Sequence, residues 1–323
     1  MLENGEKLGA FIVPTGIGAS IGGFAGDASP FAKKFAQESK LIVNPNVVNA
    51  GCFSGITSNM LYVEGYTLDS FFKNNISLNF STNNKIGVIF DKSIPQEVLN
   101  VHINTINAVK AVYGIDIPFY EITEEEVGVE FFVNDFGIST GKVNNIETLK
   151  KSGQKLLDKG CNAIGICCLF EDSNDNNYAQ NGGVDPIGGV EAIISHYISK
   201  ELKVPCAHSP AFCDYQIYPE IVDKRASAEY ITPTFLPCIL IGLSNAPTIK
   251  NSNEGQISLK NLDYLVMPSN ALGAIPVLEC LKNKIKCFAV GENKTVLNIT
   301  KENLFKNSDI IFLDTYEKVL EQI

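Results

Sequence analysis

The sequence predicts an α/β protein with largely parallel sheets, helices on both faces, and two Rossmann-like lobes with a cleft between them. Short apolar runs that end at Gly, Pro or Asn alternate with longer amphipathic segments, which is typical of βα units around a parallel sheet. The apolar runs are nearly continuous, as expected for strands covered on both faces. The chain has 323 residues, about two domains of roughly 150 residues each, and 45% of them are hydrophobic. It can therefore bury a substantial core.

The apolar runs place the strands, and the amphipathic segments place the helices. We expect strands at residues 10–13, 41–43, 86–90, 117–122, 163–169, 237–243, 264–267, 287–290 and 310–313. We expect helices at residues 30–39, 96–113, 147–159, 188–201, 271–282 and 316–322. Polar segments flank a short strand at residues 129–133 and suggest a boundary near residue 125. Residues 1–125 would then form an N-terminal α/β lobe with a glycine-rich loop, and residues 126–323 a C-terminal α/β lobe.

Charge, apolar runs and cysteine usage limit the partners and the compartment. The 26 Lys and Arg against 36 Asp and Glu give a net charge of -10, which repels a phosphate backbone, so we expect no nucleic-acid partner. The longest apolar stretch, residues 235–243, is about half of the roughly 20 residues that span a bilayer, and no secretory signal pattern is found, so we expect no membrane partner. The nine cysteines are an odd number and mostly lie in apolar runs, which favours reduced thiols and a cytoplasmic location. The sequence does not decide whether the protein forms a homo-oligomer.

A glycine-rich loop follows the first strand and is the first candidate for ligand binding. Glycines let backbone N–H groups approach a ligand closely, and the helix that follows favours an anion at its N-terminus. The candidate residues for binding a carboxylate or phosphate are Thr15, Gly16, Gly18, Ser20, Gly22, Gly23 and Asp27. A tight βα turn is the alternative explanation, and Asp27 would then cap the helix. Gly22 comes one residue too late for the G-x-G-x-x-G motif of dinucleotide-binding sites, and the sequence contains no P-loop motif. No standard dinucleotide or P-loop site is therefore predicted, and the cofactor stays unknown.

Acidic residues and histidines between residues 185 and 208 are the candidates for catalysis. Asp185 precedes Pro186 at the start of a helix that contains Glu191 and His196, although helix capping alone would also explain Asp185. Glu191 and His196 are five residues apart, which is a poor spacing for a metal pair on one helix face, and His196 can equally be an ordinary helix residue. His208 lies between two prolines at the end of a strand, a typical place for an active-site side chain.

Arg225 is the only arginine in the chain. Its planar, permanently charged side chain suits a substrate carboxylate or phosphate, and a solvated loop residue is the alternative.

Several motifs in one order resemble a family catalogued as a conserved domain of unknown function, best represented in cyanobacteria and plastids. The resemblance spans nearly the whole chain and rests on residues 13–23, 25–28, 45–47, 62–66, 183–185, 191–196, 205–208, 234–238 and 292–295. It implies no established activity. It does imply that the glycine loop, Asp185, Glu191, His196, His208 and Glu292 belong to a shared pattern.

The expected function is an enzyme that binds a small carboxylated or phosphorylated metabolite and transfers protons on it, as an isomerase, racemase or lyase. Two histidines with a pKa near neutrality suit such chemistry. By fold-level analogy with the aspartate/glutamate racemase superfamily, Cys52 and Cys206 would be the acid and base, provided that their setting is electropositive. One alternative is a metal-dependent hydrolase or lyase that uses His196, His208, Asp185 and Glu191, although the spacing fits no standard ligand motif and no metal ligand is assigned. The other is a non-catalytic metabolite-binding module.

Overall fold

The computed structural model describes residues 2, 5–81, 83–171, 178–214, 216 and 219–323. The strands in these residues are β1 (Leu8–Phe11), β2 (Lys40–Val43), β3 (Asn49–Ala50), β4 (Phe53–Ser54), β5 (Met60–Tyr62), β6 (Ile76–Asn79), β7 (Ile86–Phe90), β8 (Phe119–Ile122), β9 (Val129–Val133), β10 (Ser139–Val143), β11 (Ala163–Leu169), β12 (Cys206–Ala211), β13 (Thr248–Asn251), β14 (Tyr264–Pro268), β15 (Lys286–Val290) and β16 (Ile311–Leu313). The helices are α1 (Ser29–Glu38), α2 (Pro45–Val48), α3 (Gly65–Phe72), α4 (Gln96–Tyr113), α5 (Ile146–Asp158), α6 (Tyr178–Asn181), α7 (Gly188–Leu202), α8 (Ser227–Tyr230), α9 (Leu236–Ser244), α10 (Ile275–Lys282), α11 (Lys301–Leu304) and α12 (Tyr316–Leu320).

Two parallel sheets form the centre of the molecule, which confirms the predicted α/β fold class. A six-stranded sheet has the order β16-β15-β14-β1-β2-β5, and a four-stranded sheet has the order β12-β11-β7-β8. All neighbouring strands within these two sheets are parallel. Three antiparallel pairs, β9 with β10, β6 with β13 and β3 with β4, lie outside them.

The two sheets do not divide at residue 125. The six-stranded sheet combines strands from both ends of the chain, since β1, β2 and β5 join β14, β15 and β16. The four-stranded sheet takes its strands from the middle, and residue 125 lies between its strands β8 and β11. Along the chain, three strands of the larger sheet come first, the four strands of the smaller sheet follow, and the last three strands of the larger sheet come at the end. The pattern of local elements contains no signal for this order, because it depends on pairing between distant segments.

Helices cover both faces of the four-stranded sheet. On one face, α5 and α7 pack against alternate strand residues, in a cluster that includes Leu156, Ile194 and Ile166. On the other face, α4 and α9 pack in a cluster that also contains residues of the six-stranded sheet, among them Phe11 and Tyr62. One apolar core thus connects the two sheets. All nine cysteines are free thiols, as the sequence predicts.

The predicted strand at residues 237–243 is wrong: this segment is helix α9 (Leu236–Ser244). Pro237 stands in the first helical turn, where a missing N–H costs no hydrogen bond. Seven of the nine residues are buried, so the helix is apolar on every side. A short, continuously apolar run has the same pattern whether it is a buried strand or a buried helix, and periodicity alone does not separate the two.

Candidate functional site

A cavity of about 540 Å³ lies where the carboxyl ends of the two parallel sheets meet. The six-stranded sheet contributes residues that follow β1, β2 and β5, and the four-stranded sheet contributes the second half of β12 and Phe212. Helix α7 runs along one wall with Glu191, Ser195 and His196. The position agrees with the rule that α/β sheets bind ligands beyond the carboxyl ends of their strands, and the volume is that of a site for a small molecule.

The cavity lining is acidic. The six carboxylates that line it are Glu64, Asp69, Asp185, Glu191, Asp214 and Glu229. His196 and His208 line it as well, whereas none of the described lining residues is a lysine or an arginine. The cavity therefore brings together four of the predicted catalytic residues: Asp185, Glu191, His196 and His208.

His208 and Glu191 form a buried pair. Nδ1 of His208 lies 3.1 Å from Oε1 of Glu191 in a hydrogen bond, and the two side chains are 1% and 23% exposed. Burial raises the pKa of Glu191 to about 8 and lowers the pKa of His208 to about 3, because a charge is poorly solvated there. Nε2 of His208 is buried and has no hydrogen-bond partner among the described residues. The ring of Phe170 holds the imidazole edge to face, at 5.4 Å between centroids.

Asp185 and Glu229 stand near Glu191 at the N-terminal end of α7. Asp185 accepts a hydrogen bond from the backbone of Ile187 at 3.0 Å, so it has the capping contact that the sequence suggests while also lining the cavity. Burial, with the nearby Glu191, raises the pKa of Asp185 to about 7. Burial, followed by the charge of Asp185, raises the pKa of Glu229 well above its usual range. These carboxyls repel one another and hold protons near neutral pH.

His196 meets two further carboxylates about one and a half turns along α7. Its ring packs so closely on Gly65 that a Cβ atom there would lie 2.1 Å from Nε2. Glu64 caps α3 by accepting hydrogen bonds from Thr67 N at 2.7 Å and Tyr66 N at 2.9 Å. Burial raises the pKa of Glu64 and of Asp69, and His196 opposes the shift in both.

Sequence reasoning missed Glu64, Asp69 and Glu229 as site residues. Glu64 directly follows β5, which is a signal that could have found it, because residues after a buried parallel strand lie at the ligand edge. Asp69 and Glu229 have no such signal. They lie on the short helices α3 and α8, which the sequence analysis did not predict.

The glycine loop lies at the carboxyl end of β1, but its backbone donors are largely used inside the protein. Ser20 N donates to Lys294 O, Ile21 N to Asn293 Oδ1, and Gly26 N to Asn46 O. Asp27 accepts a hydrogen bond from Gly22 N at 2.5 Å and makes no capping bond to α1. Burial raises the pKa of Asp27 to about 6.

Of the loop residues proposed to bind substrate, only Thr15 lines the cavity; Gly16, Gly18, Ser20, Gly22, Gly23 and Asp27 do not. The backbone at Gly16 and Gly26 has positive φ, and a Cβ at Gly26 would lie 2.4 Å from Asn49 O. The geometry is that of the tight βα turn, the alternative explanation of this loop.

Arg225 and Glu292 hold the glycine loop in place through hydrogen bonds and do not line the cavity. Arg225 pairs with Asp223, donates from Nη1 to Ser20 O at 2.9 Å, and stacks on Phe24 at 5.0 Å. Glu292 accepts hydrogen bonds from Tyr316 N at 2.6 Å and, at its backbone oxygen, from Ser20 Oγ. Neither side chain is among those that line the cavity, and their role in binding a substrate stays a prediction.

The two cysteines of the racemase analogy do not line the cavity either. Burial raises the pKa of Cys52, and raises that of the fully buried Cys206 well above its usual range. Because the thiolate is the reactive form, both settings oppose acid–base use of the thiols. Their setting is apolar and not electropositive.

Two further properties bear on ligands and location. The described residues contain no group of three or more His, Cys, Asp or Glu side chains arranged to hold a metal ion. Within the same residues, no helix is both long enough and apolar enough to cross a membrane.

Comparison with known proteins identifies the family. A family model described as "Protein of unknown function (DUF3326)" matches residues 9–320. The chain belongs to this family. A relative from Synechococcus sp., described as an uncharacterized lipoprotein, is 36% identical over 301 residues, which are 91% of this chain and 84% of the relative. No solved structure matches the chain.

These matches confirm the resemblance to a family of unknown function with cyanobacterial members. The lipoprotein description belongs to the relative, and it gives no support to the cytoplasmic location expected for this DUF3326 protein, which stays a prediction.

Proposed function

We propose that this DUF3326 protein is an enzyme that transfers protons on a small polar metabolite, as an isomerase, racemase or lyase, with His208 and Glu191 as its acid–base pair. The observation that carries the proposal is the buried His208–Glu191 hydrogen bond in the wall of the cavity, which leaves Nε2 of His208 without a partner. A buried polar atom without a partner is costly unless a ligand or water satisfies it. A substrate in the cavity would supply that partner.

The pair can take up and return a proton without leaving a positive charge on the imidazole. When Nδ1 carries the ring proton and donates it to the Glu191 carboxylate, Nε2 has a free lone pair and acts as a base. As Nε2 takes the proton of a substrate C–H bond, the Nδ1 proton moves to Glu191 and the electron pair of the broken bond stays on the substrate carbon. The reverse transfer protonates the substrate. The pKa of Glu191 near 8 suits such exchange near neutral pH.

The charge of the cavity changes the expected substrate. The sequence predicts a carboxylated or phosphorylated metabolite, but six carboxylates and no lysine or arginine line the cavity among the described residues. No cationic side chain of these lining residues would balance the charge of an anion, whereas hydroxyl and amino groups could donate hydrogen bonds to the carboxyl oxygens. The proposal therefore keeps the proton transfer and replaces the anionic substrate by one that carries hydrogen-bond donors.

Hydrogen–deuterium exchange tests the proposal before the natural substrate is known. The protein is incubated in D₂O with small amino, hydroxy and keto compounds, and ¹H NMR follows the loss of C–H signals. We expect the wild type to exchange at least one compound. His208→Asn and Glu191→Gln should each slow that exchange by roughly 10²–10⁴-fold, the usual contribution of a positioned acid or base.

The control for these variants is His102→Asn. His102 is also buried with Nε2 unpartnered, but it lies on α4 and does not line the cavity. This variant should exchange at the wild-type rate. A compound that binds without any exchange would contradict the proposal and favour the non-catalytic metabolite-binding module. No observation favours the metal-dependent alternative, because the described residues lack a suitable ligand group.

A further inference from the structure

We infer that the cavity binds the ammonium group of an amine substrate at its acidic end, formed by Asp185, Glu191 and Glu229. This inference rests on the proposed function, because it names the class of substrate that the same cavity would take.

The acidic end collects three carboxyls from separate segments. Asp185 lies in the loop before α7, Glu191 lies in the first turn of α7, and Glu229 lies on α8. All three side chains line the cavity. Burial, assisted by Glu191, raises the pKa of Asp185, and burial, assisted by Asp185 and Glu191, raises the pKa of Glu229. Such an arrangement costs stability unless a positive ligand or bound protons offset the repulsion.

Cationic side chains do not balance these three carboxyls within the described part of the lining. Burial raises the pKa of the nearby Asp27 to about 6, and the positive charge of Arg225 opposes that rise. Among the described residues, no lysine or arginine lines the cavity beside Asp185, Glu191 or Glu229. Near neutral pH these carboxyls are therefore balanced by bound protons, and an ammonium group could replace those protons with its three N–H donors.

His208 is the second observation that points to a ligand at this end. Its side chain is 1% exposed, lines the cavity and has an unpartnered Nε2, while its other ring nitrogen is bound to Glu191. An ammonium group beside Glu191 would bring the carbon that carries it next to the acid–base pair. The C–H bond on that carbon would then be the one from which His208 takes a proton.

Other ligand charges fit less well. A metal ion needs several ligands in close geometry, and the described residues form no group of three or more that could hold one. A carboxylate or phosphate would find no lysine or arginine among the described lining residues to balance its charge. An amine needs no fixed coordination geometry and tolerates the spread of the three carboxyls.

Three probes with the same carbon chain test the inference: butylamine, butan-1-ol and butyrate. Isothermal titration calorimetry and thermal denaturation follow their binding to the full-length protein. We expect butylamine to bind saturably and to raise Tm, with butyrate giving no saturable binding. At pH 7.5 the binding of butylamine should release protons from the protein, because a cation lowers the pKa of the carboxyls around it. The release would make the measured heat of binding depend on the ionisation enthalpy of the buffer. Proton uptake, or tighter binding of butyrate or butan-1-ol, would overturn the inference.

Asp185→Asn and Glu229→Gln should each weaken butylamine binding about tenfold or more, because each removes a charge-assisted hydrogen bond. At pH 8 both variants should also unfold at the same or a higher Tm, because they remove repulsion, so weaker binding cannot be attributed to misfolding. The matched control is Glu317→Gln, an exposed carboxylate paired with Lys34, which should bind butylamine like the wild type. Unchanged affinity in both acidic-end variants would overturn the inference.

The outcomes also separate this inference from the proposed function. His208→Asn should still bind butylamine within about threefold of the wild type while losing deuterium exchange. If exchange occurs on hydroxy or keto compounds and butylamine does not bind, the proposed function stands and the amine inference fails. If butylamine binds as expected and no compound exchanges, the acidic end is an amine site and the proposed function fails.

Discussion

Burial alone prepares His208 and Glu191 for proton transfer. Both side chains lie in a wall that solvates charge poorly, so the pKa of the carboxyl rises towards that of an ordinary histidine and the pKa of the imidazole falls. Near neutral pH part of Glu191 is therefore ionised beside a neutral imidazole, and this is the state in which Nδ1 donates to the carboxylate and Nε2 is free to accept a proton. A substrate that binds at Nε2 can shift this balance by changing the charge beside the ring.

These shifted pKa values predict how stability depends on pH. In the unfolded chain Asp185 and Glu191 ionise near 3.8 and 4.5, but in the folded protein they hold protons up to about 7 and 8. Because the folded state binds more protons, the free energy of unfolding should fall by roughly 2–3 kcal/mol between pH 6.5 and 8.5. The lowered pKa of His208 acts in the opposite sense, because the unfolded chain then binds the extra proton. It reduces the free energy of unfolding mainly as pH falls from about 6.5 towards 3, below that range.

Urea unfolding at pH 6.5, 7.5 and 8.5 measures this dependence. The variant Glu191→Gln should show a flatter profile across the same range, because it removes the group with the larger shift above neutrality. A wild-type stability that rises between pH 6.5 and 8.5 would show that these carboxyls are already ionised in the folded protein.

Helix α9 connects the two sheets through a close contact. Gly242 faces Tyr62, whose ring is fully buried and whose hydroxyl accepts a hydrogen bond from Asn49 at 2.8 Å. A Cβ at Gly242 would lie 2.7 Å from Cε2 of that ring. Glycine is therefore required here by the approach of the helix to the strand, despite its low helix propensity.

Gly242→Ala should lower the free energy of unfolding by about 1–3 kcal/mol, the usual cost of overpacking a core. In most helices the same change is stabilising by about 1 kcal/mol. The control is Gly153→Ala on α5, where the added Cβ meets the end of the flexible Leu202 side chain and should cost less. Urea denaturation of both variants compares them, and a Gly242→Ala protein at least as stable as the wild type would show that α9 can move away from β5.

The whole molecule has an apolar core that crosses from one sheet to the other. The same cluster contains Phe11 and Tyr62 from the six-stranded sheet, Val88 and Phe90 from the four-stranded sheet, and Leu240 of α9. The six-stranded sheet also needs both ends of the chain. One apolar cluster is therefore shared by the two sheets, while the other face of each sheet packs in a cluster of its own.

This shared core predicts one cooperative unfolding transition. Differential scanning calorimetry should show a single peak whose calorimetric and van't Hoff enthalpies agree, and far-UV circular dichroism and tyrosine fluorescence should report the same midpoint. Two resolved peaks would instead support independent lobes. Limited proteolysis that releases a folded fragment ending near residue 125 would do so as well.

The local sequence was sufficient for the fold class and for part of the site. Apolar runs and amphipathic segments predict parallel βα units, because these patterns follow from which faces of a strand or helix are buried. The rule that ligands bind beyond the carboxyl ends of strands singled out His208. Asp185 was singled out at the start of a predicted helix, and Glu191 and His196 within that helix. The structure brings all four to one cavity.

Long-range contacts decided the rest. Residues 237–243 form a helix because α9 is surrounded by both sheets, and the apolar pattern is the same for either buried element. The glycine loop is a turn held by Asn293, Lys294 and Arg225, partners that are more than 200 residues away in sequence. Asp69 on α3 and Glu229 on α8 come from segments far apart in sequence that meet only in the folded cavity. Local propensity carries no record of such contacts, whereas tertiary packing sets both the burial and the pKa values on which the proposed chemistry depends.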